Sequence, residues 1–536
     1  MNAARLLAHY DRIADAPDAI PRLRRFILDL AVRGKLVPQD AKDEPASELL
    51  KRIAQEKARL VRAGEIRKPK EPFPLEDREL PFDVPTGWKV ASLDALAPRS
   101  LSDGDWIETK DQSDDGGVRL IQLADVGVGE FLNKSARYIT EETEVRLNCT
   151  RLAVGDVLIA RLPNPIGRAC SFPDIGQPAI TAVDVAILRP DTNVSGEFVV
   201  LAMNAPPIRD QIEAYGKGAT RFRVSTGHLK TVQVPLPPLA EQHRIVAKVD
   251  KLMALCDRLE AAWADREAKR DRLVAASLAS LAATNAARAK NYAYSVLGSL
   301  PSITARPNQI KEIRQTIFNL AVRGALSPAH SCWSMPQIVG NLASLQNGYA
   351  FKSEWFSTEG IRLVRNANVG HGRLNWEESV RLPESRAGEY ERFRLSEGDV
   401  VLTLDRPFIV TGTKVARVTA ADLPALLLQR VGRFVLTPRL HADYLFLWIN
   451  SPHFSEQINP GRSNGVPHIS SKEVEAATIF VPPVEEQHRI VAKVDALMAL
   501  CDRLEASLAA AETGRSRLLN ALLQDALAPA APAEAA

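Results

Sequence analysis

Basic side chains recur in two loop-rich segments of this 536-residue chain. Lysine and arginine can neutralise phosphates, and arginine can also read a guanine edge through two hydrogen bonds. Any single member of the set is better explained as a surface charge, so the prediction rests on the clusters. The residues predicted to contact nucleic acid are Arg161, Arg168, Lys217, Arg221, Arg223, Arg365, Arg373, Arg406, Lys414, Arg462 and His468.

No arrangement typical of a catalytic site accompanies these charges. The sequence contains no GxxxxGK[ST] phosphate loop, no HExxH zinc motif and no GxSxG nucleophile motif. The five cysteines have no CxxC spacing, and His243 and His488 have no partners at metal-ligand spacing. Residues 405–408 (DRPF) resemble the acidic-Pro-Pro-aromatic tetrapeptide of amino-methyltransferases, but arginine replaces the first proline. We therefore predict no catalytic residue, no metal site and a chain that binds and positions.

The most regular feature of the sequence is a stretch that occurs twice. Residues 241–261 (EQHRIVAKVDKLMALCDRLEA) recur at 486–506, and only Lys251 against Ala496 differs. Apolar residues step by four and three in both copies, which predicts two amphipathic helices with a coiled-coil seam. Two prolines before each copy mark the start of the helix. Each helix could extend about 40 residues, or roughly 60 Å at 1.5 Å per residue.

The outward-facing polar residues of these helices are repeated as well. Packing alone constrains only the seam, so identical outer faces suggest two equivalent docking sites for one kind of partner. A recent duplication would produce the same match. The predicted docking residues are His243, Arg244, Lys248, Asp257 and Arg258 in the first copy and His488, Arg489, Lys493, Asp502 and Arg503 in the second.

A shorter helix is predicted before each β-rich part of the chain. The pentapeptide LAVRG occurs at 30–34 and at 320–324, where the glycine is expected to end the helix. The first half also carries an insertion at 41–82, predicted to be a charged helix followed by a Lys/Pro linker. For such a charged segment we favour a solvated surface over direct DNA contact.

The two β-rich segments are distant copies of each other. Short β-like runs broken by turn residues fill both, and VRLIQLADVGVG (118–129) aligns with IRLVRNANVGHG (361–372). RLAVGDVLIA (151–160) likewise aligns with RLSEGDVVLT (394–403). The matched residues hold a fold, whereas most residues between them differ. That pattern suits two different recognition surfaces on one frame, and drift after duplication would also give it.

The amino-acid composition excludes few classes of protein. The net charge of +3 and the 25% of charged residues permit local nucleic-acid-binding patches without requiring them. No apolar run approaches membrane-spanning length, and the first residues lack the layout of a signal peptide. The expected location is therefore cytoplasmic, with no membrane partner.

The chain resembles the DNA-specificity subunits of type I restriction–modification systems over nearly its whole length. The resemblance is carried by PPLAEQHRIVAKVDKLMALCDRLE, LAVRGKLVPQD, the GDV cores and GYAFKS (348–353). It implies an α+β fold in which two β-rich target-recognition domains are separated by two long antiparallel coiled-coil helices, as a pseudo-twofold internal repeat. The expected domains are an N-terminal helical region (1–84), recognition domain 1 (85–235), a central helical region (236–335), recognition domain 2 (336–481) and a C-terminal helix with a disordered tail (482–536).

The resemblance also implies partners and a division of labour. Each recognition domain would read one part of a bipartite, asymmetric double-stranded DNA target, and the helices would set the gap. Two methyltransferase subunits would dock on the helices, and restriction/translocase subunits would join them. S-adenosylmethionine, ATP and Mg²⁺ would be bound by those partners, with no cofactor on this chain.

Two other functions remain open from the residues themselves. One is a non-catalytic coiled-coil scaffold with tandem β-rich domains that bind protein or glycan. Strong salt dependence and preference for one bipartite duplex would distinguish DNA binding from it. The other is an autonomous methyltransferase or nuclease, which the missing cofactor and metal motifs argue against.

Overall fold

The computed structural model describes residues 15–16, 18–66, 80–218, 222–283, 304, 306–326, 335–409, 412–458, 461–463 and 466–527. For residues 278, 281–283, 307–308, 461–463 and 466 the description covers the backbone only. Two compact units divide the chain: unit 1 comprises Met1–Trp263 and Gly514–Ala536, and unit 2 comprises Ala264–Thr513. The predicted linker beyond residue 283 and the predicted tail beyond residue 527 lie almost wholly outside the described residues.

Unit 1 places short helices around small sheets. Its helices are α1 (Ala19–Val32), α2 (Ala46–Arg62), α3 (Glu141–Leu147), α4 (Gly196–Asn204), α5 (Pro206–Ala214) and α6 (Thr226–Thr231). Its strands are β1 (Lys89–Ser92), β2 (Ser102–Asp103), β3 (Val118–Ile121), β4 (Tyr138–Ile139), β5 (Val157–Ala160), β6 (Ala169–Ser171), β7 (Ala179–Thr181), β8 (Val185–Leu188) and β9 (Gln233–Leu236). They form sheets of order β2-β8-β5-β6, β4-β3-β7 and β1-β9, antiparallel except for the parallel β3–β7 pair.

The long helix α7 (Leu239–Ala283) follows, and its residues up to Trp263 belong to unit 1. Unit 2 then contains the helices α8 (Pro307–Val322), α9 (Glu384–Ala387), α10 (Ala442–Ile449), α11 (Pro452–Ser455) and α12 (Ser471–Ala476). Its strands are β10 (Gln337–Ile338), β11 (Ala343–Asn347), β12 (Ile361–Val364), β13 (Arg381–Leu382), β14 (Val400–Thr403), β15 (Phe408–Ile409), β16 (Gly412–Thr413), β17 (Val415–Arg417), β18 (Ala425–Leu427), β19 (Val431–Leu436), β20 (Gly461–Ser463), β21 (Val466–His468) and β22 (Thr478–Ile479). The second long helix, α13 (Val484–Leu527), passes from unit 2 into unit 1 at Gly514.

The sheets of unit 2 follow the order of those in unit 1. They run β11-β19-β14-β17, β13-β12-β18 and β10-β22, and the β12–β18 pair is again parallel. Two hairpin pairs, β15-β16 and β20-β21, are added. Strand for strand, the three main sheets of each unit therefore share one topology.

The predicted helices at the repeated stretch are confirmed, and their apolar seams are buried inside the units. Ile245, Val249 and Cys256 of α7 share one apolar core with Ile27 of α1 and Phe198 of α4. In unit 2 the matching core joins Ile490, Val494 and Cys501 of α13 to Ile317 of α8 and Tyr444 of α10. Trp263 of α7, seven residues after Cys256, is 36% exposed. The first turns of each seam thus pack on a short helix and a β-rich body.

Helix α1 ends where the sequence predicted. Gly34 adopts φ +66°, a left-handed conformation that favours glycine, and a Cβ there would lie 2.3 Å from Pro85 Cγ. Gly324 follows α8 with φ +79°. The glycines of the two LAVRG segments therefore play the same terminating role.

The charged insertion is only partly a solvated surface. Its predicted helix is present as α2, whose outer face carries the charges. Its inner face buries Leu49 and Ile53, and Lys57 Nζ lies 3.1 Å from Asp94 Oδ2. This helix is therefore packed onto unit 1 rather than held away from it.

Candidate nucleic-acid interface

Arg168 and Lys414 occupy equivalent positions beside the strands β5 and β14. Ala160 N donates to Arg168 O (2.8 Å), as Thr403 N donates to Lys414 O (3.1 Å). The two basic residues therefore leave the same point of the common topology, although one is arginine and the other lysine.

Each side chain points into its own unit and binds the equivalent loop, which follows β3 in unit 1 and β12 in unit 2. Arg168 donates to the carbonyl oxygens of Leu123 (2.7 Å) and Val126 (2.6 Å). Lys414 Nζ donates to the carbonyl and side-chain oxygens of Asn366, both at 2.6 Å. Leu123 and Asn366 are aligned residues in the segment that follows β3 and β12. Each unit thus contains a basic tether, defined here as Arg168 in unit 1 and Lys414 in unit 2.

The structure corrects the assignment of these tethers as DNA contacts. Burial lowers the pKa of both Arg168 and Lys414, and their donors are used by backbone carbonyls. Most of their N–H donors are thus already occupied within the chain. The tethers therefore shape a loop rather than face solvent.

Arg161 is also internal. Its side chain is 4% exposed, donates to the carbonyl oxygens of Val224 (3.1 Å) and Val183 (3.0 Å), and forms an ion pair with Asp103. Burial lowers the pKa of this guanidinium. It fastens the end of β5 to the segment before α6, so it too is corrected from a predicted contact to an internal link.

A short pairing of two backbone segments lies next to the end of β5 in unit 1 and next to the end of β14 in unit 2. In unit 1, Lys217 and Arg223 exchange two backbone hydrogen bonds of 2.9 Å, and both side chains are exposed. In unit 2 the pairing is the β20–β21 hairpin, in which Arg462 lies opposite Pro467. The side chain of Arg462 and all of Arg221 lie outside the part of the chain that the structure describes.

The remaining predicted contacts in unit 2 differ in exposure. Arg373 and Arg406 are exposed, whereas Arg365 is half-buried and donates to the Glu378 carbonyl at 2.9 Å. His468 Nδ1 lies 2.7 Å from Oδ1 of Asp405, the residue that precedes Arg406 in the chain. Of the predicted set, Lys217, Arg223, Arg373 and Arg406 therefore present charge to solvent, and His468 lies beside Arg406.

The predicted docking residues lie on the outer faces of α7 and α13. The exposed ones are His243, Lys248, Asp257, Arg258, His488, Arg489, Asp502 and Arg503, while Arg244 and Lys493 are half-buried. The His488 ring lies 4.2 Å from the ring of His441, so this histidine also packs within unit 2.

The acidic members of these faces are bound by arginines of the short helices. Arg24 pairs with Asp257 and with Glu260 in unit 1 (2.7 and 2.6 Å). Arg314 pairs with Asp502 and with Glu505 in unit 2 (2.7 and 2.9 Å). Part of each repeated polar face thus serves the chain's own packing.

The basic members are less equivalent than their sequence. Arg244 forms two hydrogen bonds with Asp43 of the insertion (2.5 and 3.3 Å). Its counterpart Arg489 pairs with Glu486 one turn earlier at 2.8 Å and keeps a 67% exposed side chain. The two outer faces therefore differ where the insertion reaches α7.

Sequence reasoning missed a buried glutamine in the first turn of each long helix. Gln242 accepts from Ser195 N (2.8 Å) and donates to the Pro237 carbonyl (2.9 Å). Gln487 accepts from His441 N at 2.7 Å and donates to the Pro482 carbonyl at 2.9 Å. Both side chains are fully buried. The signal was present, because a polar residue identical in both copies beside the seam is expected to have a fixed partner.

No group of three or more His, Cys, Asp and Glu side chains with the arrangement of a metal site occurs among the described residues. Within the same residues, no helix combines the length and the apolar character that crossing a membrane would need.

Comparison with known proteins decides the family. The family model described as Type I restriction modification DNA specificity domain matches residues 85–265 and 339–511. The EcoAI specificity subunit of a type I restriction enzyme from Escherichia coli is 33% identical across 95% of this chain and 94% of its own. The chain belongs to the type I restriction–modification DNA-specificity family.

Further relatives agree in length and fold. The EcoEI specificity subunit from Escherichia coli is 27% identical over 95% of this chain and 94% of its own length. A solved chain from work on complex assembly and conformational transition of the type I R-M system covers 83% of this chain and 99% of its own. That chain is 18% identical with a TM-score of 0.51, which shows a shared fold.

Membership of the specificity family fixes the type of function. This chain is a DNA-specificity subunit, and it is a non-catalytic component rather than an enzyme. The mixed α/β architecture with long helices and two compact units agrees with that family.

Proposed function

We propose that this specificity subunit reads a bipartite, asymmetric double-stranded DNA target, with recognition domain 1 (85–235) on one part and recognition domain 2 (336–481) on the other. The observation that carries the proposal is a common topology with different loop tips. Beyond the matched strands β5 and β14, unit 1 has Leu162 and Pro163 where unit 2 has Asp405 and Arg406. A shared topology with different residue types at its loop tips suits an asymmetric target.

The long helices would act as the ruler between the two parts. Their 45 and 44 residues correspond to roughly 65 Å each at 1.5 Å per residue. The near-identical repeated sequence of the two helices supports the proposal of an antiparallel pair with pseudo-twofold symmetry. Recognition surfaces at a set separation contact half-sites at a set helical phase.

The exposed faces of α7 and α13 would dock two methyltransferase subunits. Their repeated basic residues support two related sites, and the Asp43–Arg244 pair makes the site on α7 the less accessible one. The partners would bind S-adenosylmethionine and methylate adenine N6 after the base leaves the stack. Restriction/translocase subunits using ATP and Mg²⁺ would join to cut unmodified DNA, and a DNA target favours a cytoplasmic location.

A domain exchange tests the split reading. Replacing residues 85–235 by the corresponding domain of another family member should change one part of the methylated motif and leave the other unchanged. The measurement is methylation-sensitive sequencing of DNA from cells that contain the complete system. A motif that changes in both parts, or in neither, would contradict the assignment of one part to each unit.

A helix insertion tests the ruler. Four residues would be added within α7 after Ala268, which lies between the apolar residues of this helix that belong to the core of unit 1 and those that belong to the core of unit 2. The insertion should change the length of the unspecified gap without altering either recognised part. An unchanged gap in a stably folded variant would count against the ruler. Two alanine substitutions at exposed positions of the same helix provide the control.

The docking faces are tested by charge reversal. Arg489→Glu should weaken methyltransferase binding in co-purification, because it inverts a 67% exposed charge without opening the core. The combined Arg244→Glu and Arg489→Glu variant should lose both copies of the partner. Lys472→Glu, an exposed reversal in α12 away from both faces, is the matched control.

A further inference from the structure

Unit 2 has a charged cluster at the tip of its candidate interface whose members differ in type from the aligned residues of unit 1. The cluster consists of Asp405, Arg406, Arg430 and His468. His468 Nδ1 lies 2.7 Å from Asp405 Oδ1, and Arg430 Nη1 lies 3.5 Å from the same oxygen. The carboxylate of Asp405 is thereby occupied by two neighbours. It is not bound to Arg406, the residue that follows it in the chain.

The Arg406 side chain is exposed, and its guanidinium forms no hydrogen bond or ion pair with any residue in the described ranges. As far as those ranges show, its five N–H donors are open to a ligand. An arginine with acidic and polar neighbours usually gains a partner from its own chain. Here the carboxylate of Asp405, the preceding residue in the chain, is bound by His468 and Arg430 instead.

The backbone that carries Arg406 is fixed from several sides. Arg406 has φ +48°, a left-handed conformation that few residues other than glycine adopt. Arg406 N donates to the Pro467 carbonyl at 2.8 Å, which joins it to β21. Lys414 N donates to the Pro407 carbonyl at 2.7 Å, so the next residue is tied to the tether. The backbone of such a turn loses little further freedom when its side chain binds.

The corresponding place in unit 1 has different chemistry on the same frame. Leu162 and Pro163 stand where Asp405 and Arg406 stand, and Arg223 aligns with His468. The tethers Arg168 and Lys414 hold the same loop in both units, so the frame is kept while the tip changes. A difference in chemistry at the tip of a shared topology is expected of a residue that discriminates between targets.

We propose that Arg406 reads a guanine in the part of the DNA target contacted by unit 2, through paired hydrogen bonds to its O6 and N7 atoms. Asp405 and His468 act as positioning residues for that turn. The inference rests on the proposed function, since it assigns a base to the same interface. The planar guanidinium of arginine presents its donors in a fixed fork that matches O6 and N7 of guanine, whereas the ammonium of lysine is a compact point charge without that fork.

The test uses the full chain in complex with its methyltransferase subunits and a library of duplexes randomised in both parts of the target. Arg406→Lys keeps the charge but loses the paired geometry. It should reduce the preference for guanine at one position by about 5- to 150-fold while leaving the salt dependence unchanged. Arg406→Ala should lose the same preference, and Asp405→Asn should lose part of it.

Arg373→Ala removes another exposed arginine of the same unit and is the matched control. It should weaken binding to all duplexes alike and lower the salt slope by about one unit. If Arg406→Ala behaves in that way, Arg406 is a phosphate contact and the proposal is overturned. If Arg406→Lys retains every base preference of the wild type, the proposal is also overturned, while the split reading stands. A wild-type complex without a bipartite preference would instead remove the proposed function itself.

Discussion

Arg24 Nη2 lies 2.7 Å from Asp257 Oδ1, joining the short helix α1 to the repeated polar face of α7. The same contact recurs in unit 2 between Arg314 and Asp502. The repeated sequence predicts a docking surface on this face. Part of the face is therefore bound by the chain's own short helices. The residues left for a partner are mainly the basic ones.

Removing Arg24 should loosen α1 locally. Each of its two ion pairs is partly exposed, so each is expected to contribute roughly 0.2–1 kcal/mol. Hydrogen exchange of α1 should become faster in Arg24→Ala, and Arg314→Ala should do the same for α8. Arg25→Ala, one residue along and exposed, is the control. Equal acceleration by Arg25→Ala would show that the ion pairs contribute nothing specific.

The buried glutamines should be far more costly to remove. Gln487→Ala leaves His441 N and two carbonyl groups without their partner, and each such buried group costs about 1–3 kcal/mol. Gln242→Ala leaves fewer groups unpaired and should be milder. Urea unfolding of the two variants measures the difference. Glu485→Ala, an exposed substitution in the same turn, should leave the free energy of unfolding unchanged. If Gln487→Ala cost as little, the hydrogen bonds of Gln487 would not contribute to stability.

The tethers should affect recognition one unit at a time. Arg168→Met and Lys414→Met keep most of the side-chain bulk but lose the donors that hold the loops after β3 and β12. Each should weaken the base preference in one part of the target only, as measured by selection from randomised duplexes. Arg168→Lys and Lys414→Arg retain a donor and should preserve most of the preference. Blurring of both parts by one substitution would argue against independent units.

Glu241 should make the stability of unit 1 depend on pH. Its carboxyl is 2% exposed and accepts from Trp88 Nε1 at 3.0 Å, and burial raises its pKa above 4.5. Because the folded pKa exceeds the unfolded one, this contribution is complete below about pH 4.5 and is lost as pH rises through the folded pKa.

Glu241→Gln keeps an acceptor for Trp88 but cannot ionise. Relative to the wild type, its thermal midpoint should therefore improve between pH 4 and pH 8. Glu485→Gln, exposed in the first turn of α13, should show no such trend. A constant difference between Glu241→Gln and the wild type across this range would mean that Glu241 does not titrate with folding.

Several features followed from the sequence because they depend on local chemistry. The seam spacing predicted helices at the repeated stretches, and the structure confirms them as α7 and α13. Gly34 and Gly324 were predicted to end short helices, since a left-handed residue after a helix is most easily glycine. Repeats, helix ends and family membership need only neighbouring residues or a second copy.

Only the tertiary structure decided which charges face solvent. Arg168 and Arg406 look alike in the sequence, yet the Arg168 guanidinium binds the carbonyl oxygens of Leu123 and Val126 some forty positions away. The Arg406 guanidinium binds none in the part of the chain that the structure describes. Whether an arginine is a tether or an open donor depends on which distant backbone groups converge on it. A guanidinium is buried when those groups replace its water and stays exposed when they do not, and that convergence belongs to the fold.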